Sequence, residues 1–369
     1  MDKDKILQKY DNDLTIILPL YSRDKFTLRW FLYASSQRCP FKIIVADGSK
    51  NKFFKNKIEY FSKMLRIEYQ EYPEDQGYFD YYRKMSLALK KVETKYVLLV
   101  DNDDFLNFDS LYESIIFLEN HPDYALCGGK VNNFYIKGKC LDGHAGLYGD
   151  RSYFYNSVYE TATSVEDEHD FERVRTHMAK YVSNFYDVHR TVVYQNAFDK
   201  LDEIKLHDIF LAELFLSNYA LLFGKTKKLD ISHLSRQSNP PSSCAQGEKL
   251  KGNGMMVRLL ATTWSDDLDK YCRTLALQIS MKNTDDEKYL FIKKGYADYL
   301  KLCLLGSFYK RFVGIFISIK GFVIEKFKLK KYMSSDLLPY IKYRIFYRFS
   351  IHYSQAKKLS LFLKEDKKV

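Results

Sequence analysis

The run Tyr-Val-Leu-Leu-Val-Asp-Asn-Asp-Asp-Phe, residues 96–105, constrains this chain more than any other stretch. Five apolar residues in succession, Tyr96 to Val100, leave no polar face. That is the pattern of a strand covered on both sides, as in a parallel sheet. Asp101, Asp103 and Asp104 follow at once, where open α/β sheets bind ligands, at the carboxyl edge. Carboxylates this close repel one another unless a cation or a donor lies between them. A hard divalent ion with oxygen ligands, Mg²⁺ or Mn²⁺, fits that demand and also holds substrate phosphates. The alternative is an acidic turn that caps the next helix. Spacing alone supports either.

The upstream chain weighs on that choice. Residues 14–20 form a buried strand punctuated by Pro19, and a helix is expected from Asp24 to Ser36. Phe41 to Ala46 is a second apolar strand ending in Asp47-Gly48-Ser49, and Arg66 to Gln70 a short third. Tyr78 to Val92 has helical spacing and leads into the Tyr96 strand. Strands alternating with helices predict an α/β fold with a doubly wound, mostly parallel sheet flanked by helices. The strand ends then gather Tyr21 and Arg23, Asp47, and Asp101 with Asp103 on one edge. This convergence favours a nucleotide-and-metal site. The chain has no GxGxxG and no Walker sequence, so a metal, not a glycine-rich loop, is expected to hold phosphate.

Three segments carry a resemblance: Ile17-Leu18-Pro19-Leu20-Tyr21, Val45-Ala46-Asp47-Gly48-Ser49 and Leu99-Val100-Asp101-Asn102-Asp103-Asp104. Over the first 110 residues or so the chain resembles the nucleotide-sugar half of a GT-A glycosyltransferase of the large family 2 type, whose DxD motif stands where Asp101 to Asp103 stand here. The resemblance implies that Asp47 contacts the nucleotide base, Asp101 lies near the ribose, and Asp103, with Asp101, holds the divalent metal that bridges the diphosphate. Pro19, Tyr21 and Arg23 would complete the nucleotide site.

Downstream, a helix is expected over Asp109–Leu118 and a strand over Tyr124–Val131, broken at Gly128-Gly129. A glycine-rich loop (Gly143 to Gly149), a helix over Val165–Ala179 and a strand edge over Phe185–Arg190 follow. In the resembled family this region faces the acceptor. His144, Asp187, His189 and Arg190 are candidate acceptor contacts, with a structural role the competing account for each. Asp208 opens a strongly apolar helix, Ile209–Leu222. An acid there is ordinarily a cap or dipole partner; the resemblance implies the catalytic base. Lys228–Leu234 reads as an edge strand. Its His233 stands where many GT-A enzymes place a metal-ligating histidine, though a half-buried strand histidine explains it equally. Residues 235–246 read as a polar loop from which Arg236 and Gln237 would close over the diphosphate, or as an interdomain linker.

The organisation expected is a GT-A catalytic domain, 1–245, with a nucleotide-sugar half (1–110) and an acceptor half (111–245), then a helical, basic region, 246–369. From Lys301 onward there are 16 Lys/Arg and 4 Asp/Glu, so the whole net charge of +11 belongs to the tail. That argues against a nucleic-acid-binding core and for a tail meeting an anionic surface. Basic and aromatic residues alternate over Tyr340–Phe349, which suits a membrane interface. A homo-oligomer contact, or packing on the catalytic domain, is the alternative. No apolar run reaches the length of a bilayer span. Six scattered cysteines without CxxC spacing and a charged N-terminus without an apolar segment point to reduced thiols, no signal peptide and a cytoplasmic position at the inner face of the membrane.

The function expected is metal-dependent, inverting transfer of a sugar from a nucleoside-diphosphate sugar to a hydroxyl of a glycan or lipid-linked acceptor in bacterial surface-polysaccharide synthesis. The rivals are a sugar-phosphate nucleotidyltransferase, disfavoured because Tyr21-Ser22-Arg23 lacks glycine, and a non-catalytic membrane-associated scaffold.

Overall fold

Alternate residues of each unbroken apolar run go to opposite faces of one sheet, which is why those runs have no polar side. Leu14, Ile16, Leu18 and Leu20 enter one hydrophobic core, and Ile17 enters the other. Tyr96, Leu98 and Val100 likewise part from Val97 and Leu99. The computed structural model describes residues 7–137, 147–149, 151–156, 163–238, 255–303 and 351–364.

The amino-terminal half follows the expectation closely. It runs β1 (Leu14–Leu20), α1 (Asp24–Ser36), β2 (Lys42–Asp47), a 3₁₀ turn (Phe53–Lys57), α2 (Ile58–Ser62), β3 (Ile67–Glu71), α3 (Tyr78–Leu89) and β4 (Tyr96–Leu99). The second half runs β5 (Phe105–Leu106), α4 (Phe108–Asn120), β6 (Tyr124–Lys137), β7 (Arg151–Asn156), α5 (Asp170–Ala179), β8 (Val188–Arg190), α6 (Thr191–Ile204), α7 (Ile209–Ala220) and β9 (Lys225–Gln237). Helices α8 (Met255–Leu259), α9 (Thr262–Ala276), α10 (285–303) and α11 (Tyr353–Lys364) complete the described residues.

Among those residues the sheet has nine strands in the order β3-β2-β1-β4-β8-β6-β9-β5, with β7 on β6. Strands β1 to β4 are mutually parallel, and β8 joins β4 antiparallel. The strand order reverses direction at β1, between β2 and β4, so the crevice at the carboxyl ends of β1 and β4 is the expected ligand position.

Four readings of the second half are corrected. The strand at Val188–Arg190 is no edge, because β4 and β6 pair with its two sides. Neither is β9, which lies between β6 and β5 and runs on to Gln237, so Arg236 and Gln237 belong to a strand and not to a closing loop. The Gly128-Gly129 pair does not break β6. It permits a close approach, since a Cβ on Gly129 would lie 2.7 Å from the Ile231 carbonyl oxygen, and the β6–β9 register shifts there. The helix expected from Val165 begins at Asp170, and Val165 instead bridges to Thr226.

The carboxyl-terminal helices share the cores of the sheet. Leu268, Tyr271 and Leu275 of α9 and Ile292 and Tyr296 of α10 pack with α3, α6 and α7. On the opposite face, Leu359 and Phe362 of α11 join Trp30 and Tyr33 of α1, and Gln355 donates to the Tyr33 hydroxyl at 2.6 Å. The end of the basic tail thus packs on the catalytic sheet. The Tyr340–Phe349 stretch lies outside the described residues, as do His144 and residues 239–246. Among the described residues no helix is long and apolar enough to cross a membrane.

Candidate active site

The chain leaves β1 through Ser22 and Arg23, both with left-handed backbone (φ 61° and 64°). This turn is tied to the end of β2 by the Ser22 amide, which donates to Ser49 Oγ at 3.0 Å. It turns Arg23 inward, where its Nη2 donates to Asp103 Oδ2 at 3.0 Å. Tyr21 is left 56% exposed just past the strand.

Asp101, Asp103 and Asp104 each present a carboxylate oxygen, and these oxygens lie within 4.8 Å of one another. They do not cap the next helix. The cap of α4 is Asn107, with β5 between it and the acids. Instead each acid has its own donor. Tyr186 OH donates to Asp101 Oδ2 at 2.5 Å. Arg236 Nε lies 3.2 Å from Asp104 Oδ2, and the Gln237 amide donates to Asp104 Oδ1 at 3.1 Å. Burial, and then the charge of Asp103, raise the Asp101 carboxyl above its ordinary pKa, with Tyr186 and the arginines opposing. Burial raises Asp104 further, against the pull of Arg236. Three carboxylates, Asp101 half-buried and Asp103 and Asp104 buried, face two guanidiniums and form a hard, oxygen-only donor set with excess negative charge. It fits Mg²⁺ or Mn²⁺.

A second support lies behind Arg23. Arg29 is wholly buried in α1 between the rings of Phe26 and Phe105, 4.8 and 4.9 Å away. It donates to the Leu147 carbonyl and to Gln237 Oε1, both at 2.7 Å, and burial lowers its pKa to about 10. It braces the end of β9 that carries Arg236.

At the end of β2 the Asp47 carboxylate is buried and held from both sides. It accepts from the Ser49 amide at 2.8 Å and from Tyr69 OH at 2.7 Å. Pro19 lies opposite Ala46 in the adjoining strand. Beside them, Asp75 is buried against Gly48, whose Cβ would come within 2.5 Å of the Asp75 carboxylate. Lys84 pairs with Asp75 Oδ2 and also donates to the Leu20 carbonyl at 3.0 Å, and Asp75 Oδ1 has no hydrogen-bond partner. A glycine is therefore required at position 48 for reasons of space.

Asp208 sits at the head of α7. Its Oδ1 accepts from the Phe210 and Leu211 amides at 3.0 and 2.9 Å. The Arg258 guanidinium grips both oxygens at 2.6 Å. The preceding residue, His207, packs edge-on against Phe79 at the head of α3, with ring centroids 4.8 Å apart.

Other candidates are placed elsewhere. His233 does not join the aspartates: its Nε2 faces the Tyr186 carbonyl at 2.9 Å and its Nδ1 faces Ser110 Oγ at 3.5 Å. Burial lowers its pKa. It supports the backbone of Tyr186. Asp187 forms a two-pronged ion pair with Lys228, at 2.7 and 2.6 Å, packed where Gly128 has no side chain. His189 is buried, stacks on Tyr194 with centroids 4.0 Å apart and faces the Asn184 carbonyl. Arg190 is on the opposite edge, donating to the carbonyls of Tyr124, Leu118 and His121. A cleft of about 600 Å³ lies on that edge, between Val92 and Gln195, away from the aspartates.

Sequence reasoning missed Tyr186, Arg29, Lys84 with Asp75, and Arg258. Only Arg29 left a local signal, a charge inside the apolar run Leu28-Arg29-Trp30-Phe31-Leu32.

Residues 15–198 match the family described as Glycosyl transferase family 2. Two curated relatives, the poly(ribitol-phosphate) beta-N-acetylglucosaminyltransferases TarS of Staphylococcus aureus strains Mu50 and MW2, are each 24% identical over 110 residues. That is 29% of this chain and 19% of theirs, so the chain spans about a fifth of the length of the curated relatives it matches. Among solved structures, S. aureus TarS 1–349 in complex with UDP is 16% identical with a TM-score of 0.48, covering 78% of this chain and 70% of that one. The same protein in complex with UDP-GlcNAc gives 14% and 0.47, over 78% and 71%.

Proposed function

We propose, from the premise that this chain belongs to glycosyl transferase family 2, that it is a metal-dependent, inverting glycosyltransferase. It moves a sugar from a nucleoside-diphosphate donor to a hydroxyl of a glycan or lipid-linked acceptor in bacterial surface-polysaccharide synthesis. The observation that carries the reading is the cluster of Asp101, Asp103 and Asp104 at the carboxyl edge, set between Arg23 and Arg236. Asp103 and Asp101 would hold the divalent ion, which supplies neutralisation of the leaving diphosphate as a Lewis acid.

The residues of the chain do the rest. Pro19 and the exposed Tyr21 border the nucleotide, with Asp47 fixed beside them as a rigid acceptor for a base N–H. Arg23 and Arg236 bring positive charge to the phosphates. Asp208 takes the proton of the acceptor hydroxyl as general base. The hydroxyl oxygen bonds to the anomeric carbon from the face opposite the diphosphate, the carbon–oxygen bond to phosphate breaks, and the configuration inverts. The relatives' name makes an N-acetylglucosaminyl donor the first to test. The excess of Lys/Arg after residue 300 supports a cytoplasmic station at an anionic membrane face.

The test is incubation of the full chain with a panel of nucleotide sugars, UDP-GlcNAc first, with and without Mn²⁺. Release of nucleoside diphosphate that requires Mn²⁺ and is lost in Asp103→Asn is expected. Pyrophosphate release from a nucleoside triphosphate and a sugar phosphate would overturn the reading in favour of nucleotidyl transfer.

A further inference from the structure

We infer that Arg258 is the positioning residue of the base, locking the Asp208 carboxylate so that a single lone pair, on Oδ2, is left to receive the acceptor proton. The inference rests on the proposed role of Asp208. A carboxylate offers about four acceptor sites, two on each oxygen. On Oδ1 three donors compete: the Phe210 amide, the Leu211 amide and Arg258 Nη2. On Oδ2 there is one, Arg258 Nε. The oxygens are therefore inequivalent, and only Oδ2 has room for another hydrogen bond.

Rotation about the carboxylate axis would exchange the two oxygens and spoil this arrangement. Helix-head amides alone hold one oxygen and leave the other to swing. The planar fork of a guanidinium fixes both at once, which an ammonium cannot do. The guanidinium is itself held flat on the Phe210 ring, 3.8 Å from its centroid. Both partners are shielded, the Asp208 side chain 9% exposed and that of Arg258 12%. The backbone is fixed as well. The Asp208 amide donates to Asp267 Oδ2 at 2.8 Å, and the other oxygen of this fully buried acid faces His207 Nδ1 at 3.1 Å. Arg258 and Asp267 both come from the helical region after residue 245, so that region completes the base instead of merely following the catalytic sheet.

Arg258→Ala in the full chain is the test, read as UDP release from UDP-GlcNAc with Mn²⁺. The expected result is a kcat lower by about tenfold or more with donor KM within about twofold, partial recovery in Arg258→Lys, and recovery of Arg258→Ala by added ethylguanidinium. A purely structural residue would give no recovery by the small guanidinium. An unchanged kcat, or a raised donor KM with kcat intact, overturns the inference; the second outcome would put Arg258 on the diphosphate. If Arg258→Ala does not fold, Arg258→Lys is read by the same criteria. Full turnover in Asp208→Asn would sink the base assignment itself. An inactive Asp208→Asn beside a wild-type-like Arg258→Ala would sink only this inference.

Discussion

Lys228→Met is a sharp test of how the acceptor half is built. The Lys228 ammonium meets both oxygens of Asp187, at 2.7 and 2.6 Å, with the side chains only 6% and 3% exposed. Gly128 closes the site, since a Cβ there would lie 1.9 Å from Asp187 Oδ1. Methionine matches the lysine stem in length but removes the charge. Asp187 would then be an unpaired carboxylate out of reach of water. Breaking a buried pair from one side costs about 3–5 kcal/mol. That is a large fraction of the ~5–15 kcal/mol that holds a domain folded. Urea unfolding of the wild type and the variant measures it. Asp187→Leu added to Lys228→Met should restore much of the loss. A deficit below about 1 kcal/mol would refute the reasoning. If Asp187→Asn instead raised an acceptor KM without loss of stability, Asp187 would belong to the acceptor site after all.

The remaining predictions concern the edge and the core. Gly48→Ala should destabilise by about 1–3 kcal/mol, because its Cβ would displace Asp75 from Lys84; thermal unfolding reads it. Tyr186→Phe removes a charge-assisted hydrogen bond of about 1.5–3 kcal/mol and lets the Asp101 carboxyl rise further. Mn²⁺ affinity, measured by calorimetry, should fall more at pH 6 than at pH 8. His189, held down to about 4 by burial, stays neutral in the native state while the unfolded chain takes up a proton below about pH 6.5. Its contribution is therefore full above pH 6.5 and lost as pH falls toward 4, by about 3 kcal/mol. His189→Gln, though weaker at neutral pH, should show a flatter stability profile over that window, measured by urea midpoints.

The amino-terminal half was legible because its signals are local. Leu14–Leu20 and Asp24–Ser36 appear where apolar runs and helical spacing place them, and the aspartates follow from where β4 ends. The second half was read less well because pairing partners are distant in sequence. Nothing near Val188 or Lys225 says that each will have a strand on both sides. Gly128-Gly129 reads as a break until β9 is seen pressed against it. Asp208 and Arg258 are 50 positions apart, and no spacing rule joins them. His233 stands where the resembled enzymes place a metal-ligating histidine, but in β9 its side chain faces Ser110 and the Tyr186 carbonyl, as the strand-histidine alternative expects. The tail charge was easy to count, yet it gave no hint that Leu359 and Phe362 would pack on α1.

The central claim is that carboxylates at the end of an apolar strand hold a cation for a sugar donor. Calorimetric titration of Mn²⁺ into the wild type and Asp103→Asn, with and without UDP, addresses it directly. The account predicts binding to the wild type that UDP tightens, and a loss of about tenfold or more in the variant. Equal Mn²⁺ affinity in the two proteins, with UDP binding untouched, would contradict it.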